Sequence, residues 1–164
     1  MSRLICTFAV LGLLVGGVVR VEADDYSLGK ADELPEGLSD SIAAAIDPNG
    51  VSLAGPKRGY ASIWLVKELS IPADFKASAA VRYPFAPGEL VGVLAVPKRA
   101  DFLEFRGNEL EQGTYTLRYG RQPMDGNHIG TSDLADFLVA IPAEKDEAAG
   151  VMEDQQEMVE LSAA

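Results

Sequence analysis

The sequence predicts a mainly β protein: an antiparallel two-layer β-sandwich, jelly-roll or immunoglobulin-like, with one short N-terminal helix and an acidic C-terminal segment. Three observations carry this. Short apolar runs with a period of two recur between Gly- and Pro-rich turns. No long helical segment separates them, so the crossovers that parallel strands require are missing. A length of 164 residues with 48% hydrophobic content supports one domain rather than several.

Before the domain comes an address. Arg3 precedes sixteen residues, 4–19, whose one polar member besides the Cys6 thiol is Thr7, and Val21-Glu22-Ala23 follows with small residues where a signal peptidase reads. Residues 1–23 are therefore expected to be a secretory signal peptide. The apolar run is shorter than the roughly 20 residues of a spanning helix, and no basic stop-transfer cluster follows it. No membrane span is expected after cleavage. Cys6 leaves with the leader, so the mature chain carries no Cys and relies on its core in an oxidising compartment. None of Asn49, Asn108 and Asn127 opens a glycosylation sequon, which suits bacterial export to the periplasm or beyond. The 14 basic against 25 acidic side chains give a net charge of -11. Such a surface lacks the cations that phosphate neutralisation needs, so nucleic acid is not an expected partner.

Residues 24–36 are polar, carry Gly29 and Pro35, and are expected to be a flexible lead-in. The sandwich domain is expected over 37–142. Leu38, Ile42 and Ile46 recur at helical spacing behind Ser39, a good first-turn cap, and Pro48-Asn49-Gly50 ends the pattern, which predicts a helix over 37–46. The period then changes to two. Residues 51–53 form a short strand candidate, and 60–69 (YASIWLVKEL), apolar on both faces, predict a central strand. Strands are also expected over 77–83, closed by Pro84, and 90–96, closed by Pro97, with a weaker one over 102–106. In 114–120 (TYTLRYG), Tyr115, Leu117 and Tyr119 share a face expected to be buried, while Thr116 and Arg118 share one expected to be wet. Residues 136–142 (DFLVAIP) close the set. Residues 143–164 hold seven acidic side chains, with Val151, Met152, Met158 and Val159 at helical spacing, and read either as a docked helix or as an acidic tail.

The block GTYTLRYGRQPMDGNHIGTSDLADFLVAIP, 113–142, resembles a group of secreted bacterial proteins, of planctomycete type, with no assigned activity. A segment like 59–69 with its Trp, upstream of a turn like 83–88, fits the same resemblance. Membership implies export and a β-rich domain, and implies no reaction. Relatives of this kind continue past the acidic segment into a further strand, so the last sheet edge is left open.

Chemistry is expected on the long connection 121–135 (RQPMDGNHIGTSDLA), because compact domains seldom keep such a loop without a use. Ligand binding there points to Asn127 and His128, with Arg118 and Arg121 forming a small basic spot for a carboxylate or sulfate. The bland alternative for the same loop is a turn capped by Asp125 and Asn127. Counting Asp125 as the first position of a calcium loop places Asn127, Gly130, Asp133 and Asp136 at later ligand positions, yet Ile129 lacks an oxygen and strands flank the loop. A catalytic reading takes His128 as general acid or base, oriented by Asp133 or Asp136, with Ser132 or Ser62 as nucleophile. No G-x-S-x-G elbow supports it, and a single His excludes a two-His zinc site. Residues 50–57 (GVSLAGPK) fail as a phosphate loop because Pro56 removes an amide. Trp64, Tyr60 and Tyr83 offer stacking faces for sugar rings wherever they reach the surface. The expected function is thus an exported, non-catalytic binding module using the 121–135 end. A hydrolase built on His128 and a structural envelope protein, stabilised by calcium, are the alternatives.

Overall fold

The computed structural model describes residues 26–55, 59–78, 81–98, 100, 102–104, 106–122 and 135–163. Its strands are β1 (Ser27–Ala31), β2 (Gly50–Ala54), β3 (Gly59–Leu65), β4 (Leu90–Val96), β5 (Gly113–Arg121) and β6 (Asp136–Pro142). All six lie in one open antiparallel sheet in chain order, each strand pairing with its neighbour in sequence. The mainly β, antiparallel reading therefore stands. The described residues form one sheet, where two facing sheets were expected. Alternation in a strand reports that a face is covered and does not report by what.

One face is covered in part by helix. In α1 (Asp40–Ala45), the Ser39 side chain caps the first turn by accepting from the Ile42 amide. The helix lays Ile42 and the following Ile46, both at 0% exposure, against Trp64, Leu90 and Val93. The sequence signal for this helix was its four-residue spacing, and Ile46 already leaves it to bridge Val66 in extended form. Farther along the same face, α2 (Gln155–Glu160), capped by Asp154, buries Met158 against Val139 and Ile141. The C-terminal segment thus ends in a short helix, with Val159 exposed rather than docked. Between the helices, residues 146–154 run across the sheet without regular structure after a single 3-10 turn at Ala143–Lys145.

On the opposite face the connection from β4 to β5 folds back. Ala100 and Leu110 pack on Ala61, Leu94, Val96, Tyr115 and Leu117, and Phe102 sits beside this cluster with its ring 5.2 Å from that of Tyr60. Tyr60 is the extra residue of a bulge, since Ala61 pairs with Leu53 while Gly59 pairs with Ala54. The weak strand expected over 102–106 reduces, among its described residues, to a bridge between Leu103 and Glu109. Phe102 and Phe105 are three apart, a spacing at odds with a strand's period of two. None of the described residues of 77–83 is in a strand. Ser78 closes a local turn instead, its amide donating to the Val81 carbonyl and its hydroxyl accepting from the Val81 amide.

Strand β1 replaces part of the expected lead-in. Its register places Gly29 opposite Ser52, and Leu28 is 77% exposed, so main-chain pairing rather than side-chain burial holds it. On β5 the expected wet face is also overturned: Thr116 and Arg118 are 0% and 1% exposed, under the 146–150 segment. Gly88, at φ +85°, lets that segment approach, because a Cβ there would overlap the Met152 carbonyl. Among the described residues no helix is long and apolar enough to cross a membrane.

Candidate functional site

The centre of β5 carries a guanidinium that the sequence placed in solvent. Arg118 instead spends all five of its N–H donors inside the protein. Its Nε donates to Asp146 Oδ2 at 2.7 Å and Nη2 to Asp146 Oδ1 at 2.8 Å, a bidentate pair. Nη1 donates to the carbonyls of Gly88 and Gly150, and Nη2 also to that of Ala148. The Thr116 hydroxyl donates to the same carboxylate. With every donor engaged, Arg118 fastens the C-terminal segment to the sheet and offers nothing to an outside anion. Its place in the proposed basic spot is therefore corrected.

One turn of pleat farther along β5, on the opposite face, the rim opens. Tyr119 is 3% exposed, yet its hydroxyl reaches Asp136 at the start of β6 and donates to Oδ1. Arg121 is the direct cross-strand partner of Asp136. Burial pushes the Tyr119 hydroxyl up to about 12, helped by the hydrogen bond to Asp136 and that carboxylate's charge, while Arg121 pulls the other way. The phenol is therefore a neutral donor at ordinary pH, and it holds the carboxylate in one orientation. Phe85 lies edge-on to Tyr119, centroids 5.5 Å apart, and Tyr83 lies parallel to Phe85 at 6.0 Å and 7°. Tyr83 is 49% exposed. Pro84, with its fixed φ, separates the two rings in sequence.

The rim thus joins an exposed aromatic face, a partly exposed carboxylate and a guanidinium, all mounted on β5, β6 and the approach to β4. It is the same end of the sheet that the sequence singled out. Of the residues named there, Arg121 and Asp136 stand at the rim, while Asp125, Asn127, His128 and Asp133, together with Ser132, lie outside the described residues. Ser62 does not come near Asp136. It lies in a cross-strand row with Ser52, Ala95 and Thr114 toward the other end of the sheet. That row borders an open groove of about 400 Å³, also lined by Tyr60 and Gln112. Within it the Thr114 hydroxyl donates to the Glu36 carbonyl and the Ser52 hydroxyl to that of Lys30, so these hydroxyls serve the fold. Trp64 is core, its indole N–H donating to the Ala31 carbonyl. Among the described residues no group of three or more His, Cys, Asp or Glu side chains converges to hold a metal.

Sequence reasoning missed Phe85 and the partnership of Tyr119 with Asp136. Only part of the signal for the second was present: pairing 114–120 with 136–142 end to end puts residue 120 opposite 136, and the structure shifts the register by one, so that Arg121 faces Asp136 and Tyr119 shares their face. No family model, curated protein or solved structure matches the chain.

Proposed function

We propose that this chain is an exported, non-catalytic binding module whose contact surface is the rim where β5 leaves the sheet and β6 enters it. The observation that carries the reading is the Tyr119–Asp136 pair. A buried phenol on β5, a strand packed on both faces, fixes a partly exposed carboxylate beside Arg121 and the Tyr83–Phe85 pair. Binding favours groups held in place before the ligand arrives, and β5 supplies that rigidity. The apolar run 4–19 with its Val21-Glu22-Ala23 ending supports export, and the 113–142 block supports kinship with secreted bacterial proteins. The proposal needs only the single sheet, so a jelly-roll or immunoglobulin-like sandwich is no part of it. Acid-base work by His128 would need Asp133 or Asp136 to orient an imidazole, and Asp136 is already held by Tyr119 at Oδ1.

Amide hydrogen exchange tests the reading. On addition of a bacterial cell-envelope extract, slowed exchange is expected at 119–122 and 135–138. Unchanged exchange there, or turnover of model ester and glycoside substrates that is lost in His128→Ala, removes the proposal. Millimolar calcium is expected to leave the thermal midpoint unchanged, and a clear rise would favour the calcium-stabilised alternative.

A further inference from the structure

Resting on that reading, we infer that the ligand of the rim is a neutral, hydroxyl-rich sugar ring, seated on Tyr83 and hydrogen-bonded by Asp136 and Arg121. Three observations select this class. First, Tyr83 is half-exposed and its ring is parallel to that of Phe85, which is itself set edge-on against buried Tyr119. The aromatic face is therefore flat, outward and backed by the sheet, and it suits the C–H face of a ring. Second, a carboxylate and a guanidinium stand opposite each other on β6 and β5 at the same rim. The Asp136 carboxylate keeps acceptor capacity beyond the Oδ1 lone pair that Tyr119 uses, and a guanidinium donates to two adjacent oxygens, so together they address a vicinal diol without demanding charge from the ligand. Third, the chain's net charge of -11 opposes every anionic polymer, which disfavours nucleotides and acidic glycans that would otherwise stack on the same ring. The rim pair itself, one carboxylate and one guanidinium, sums to no net charge and calls for no charge on the ring. What satisfies all three is an uncharged polyol ring.

Buried Tyr119 acts as a positioning residue. Its hydroxyl holds Asp136 and its ring supports Phe85, so the polar and aromatic halves of the rim are set by one side chain.

Native affinity electrophoresis of the purified protein through gels carrying one polysaccharide at a time supplies the test. The probes are a β-glucan, an α-glucan, a xylan and a mannan as neutral polymers, with alginate as the acidic control. Retardation is expected with at least one neutral polymer and not with alginate. The apparent dissociation constant should rise at least tenfold in Tyr83→Ala and severalfold in Asp136→Asn, and stay near that of the parent in Tyr83→Phe. Circular dichroism checks that each variant remains folded, and exposed Tyr83 tolerates truncation. Retardation by alginate alone, retardation insensitive to Tyr83→Ala, or none with any neutral polymer overturns the sugar assignment. If none is retarded while exchange at 119–122 and 135–138 still slows with envelope extract, the sugar class fails and the binding module stands. If both measurements are null, both fail.

Discussion

Strand β5 and strand β1 belong to the same sheet and are held in opposite ways. In β5, Tyr115, Leu117 and Tyr119 are buried on one face and Thr116 and Arg118 on the other. In β1, four of five residues are exposed and, among the described residues, the strand has one hydrogen-bonded neighbour. Main-chain pairing suffices to place an edge strand, whereas the strand that carries Arg121 opposite Asp136 is clamped by side chains from both sides. Stability is therefore expected to concentrate around β4, β5 and β6, and to thin toward β1.

The sharpest way to break this contrast is Arg118→Met, which leaves the Asp146 carboxylate buried without its partner. The cost is expected at about 3–5 kcal/mol, read from the urea midpoint, because an uncompensated buried charge is the penalty. Adding Asp146→Leu in the same chain should recover part of that loss. Next comes Ile42→Ala, expected to cost about 2–5 kcal/mol, since Ile42 is fully buried between α1 and the sheet.

A pH series refines the picture of the rim. Tyr119 keeps its proton more tightly in the native state, up to about 12 against 10.0 for an ordinary tyrosine phenol. A raised native value means that this contribution to stability is intact below pH 10 and is lost as pH climbs through 12. Melts across that interval should fall more steeply for the parent than for Tyr119→Phe. Smallest of all is Leu28→Lys on β1, expected to change stability by no more than about 0.5 kcal/mol, as at most exposed positions. A large loss there would show that the edge strand is held by more than its backbone.

What was legible in the sequence follows the same physics. Residues 90–96 and 136–142 were readable as strands because branched and aromatic residues run up to a terminating proline. Helix α1 was readable from Leu38, Ile42 and Ile46. Strand β1 was not, since Ser-Leu-Gly-Lys-Ala has no buried face to imprint a period. Arg118 was misplaced for a different reason. An arginine alternating with tyrosines reads as solvent-facing unless its counterion is known, and Asp146 lies 28 residues away across no local motif. Pairing over such a distance leaves no trace in periodicity. At the rim, Arg121 and Asp136 were named from their position flanking the long loop. The aromatic half depended on how the two rings flanking Pro84 come side by side, which tertiary packing decides.

The Arg118 clasp also has a schedule. The chain emerges N-terminus first, so β1 to β4 come ahead of β5, and each hairpin can close as its second strand appears, because neighbours in the sheet are neighbours in the chain. The guanidinium emerges well before its carboxylate and must stay hydrated in the meantime. Burial of β5 on that side is thus postponed until the 146–150 segment arrives, so its central strand becomes rigid only after that segment, and not with any earlier hairpin.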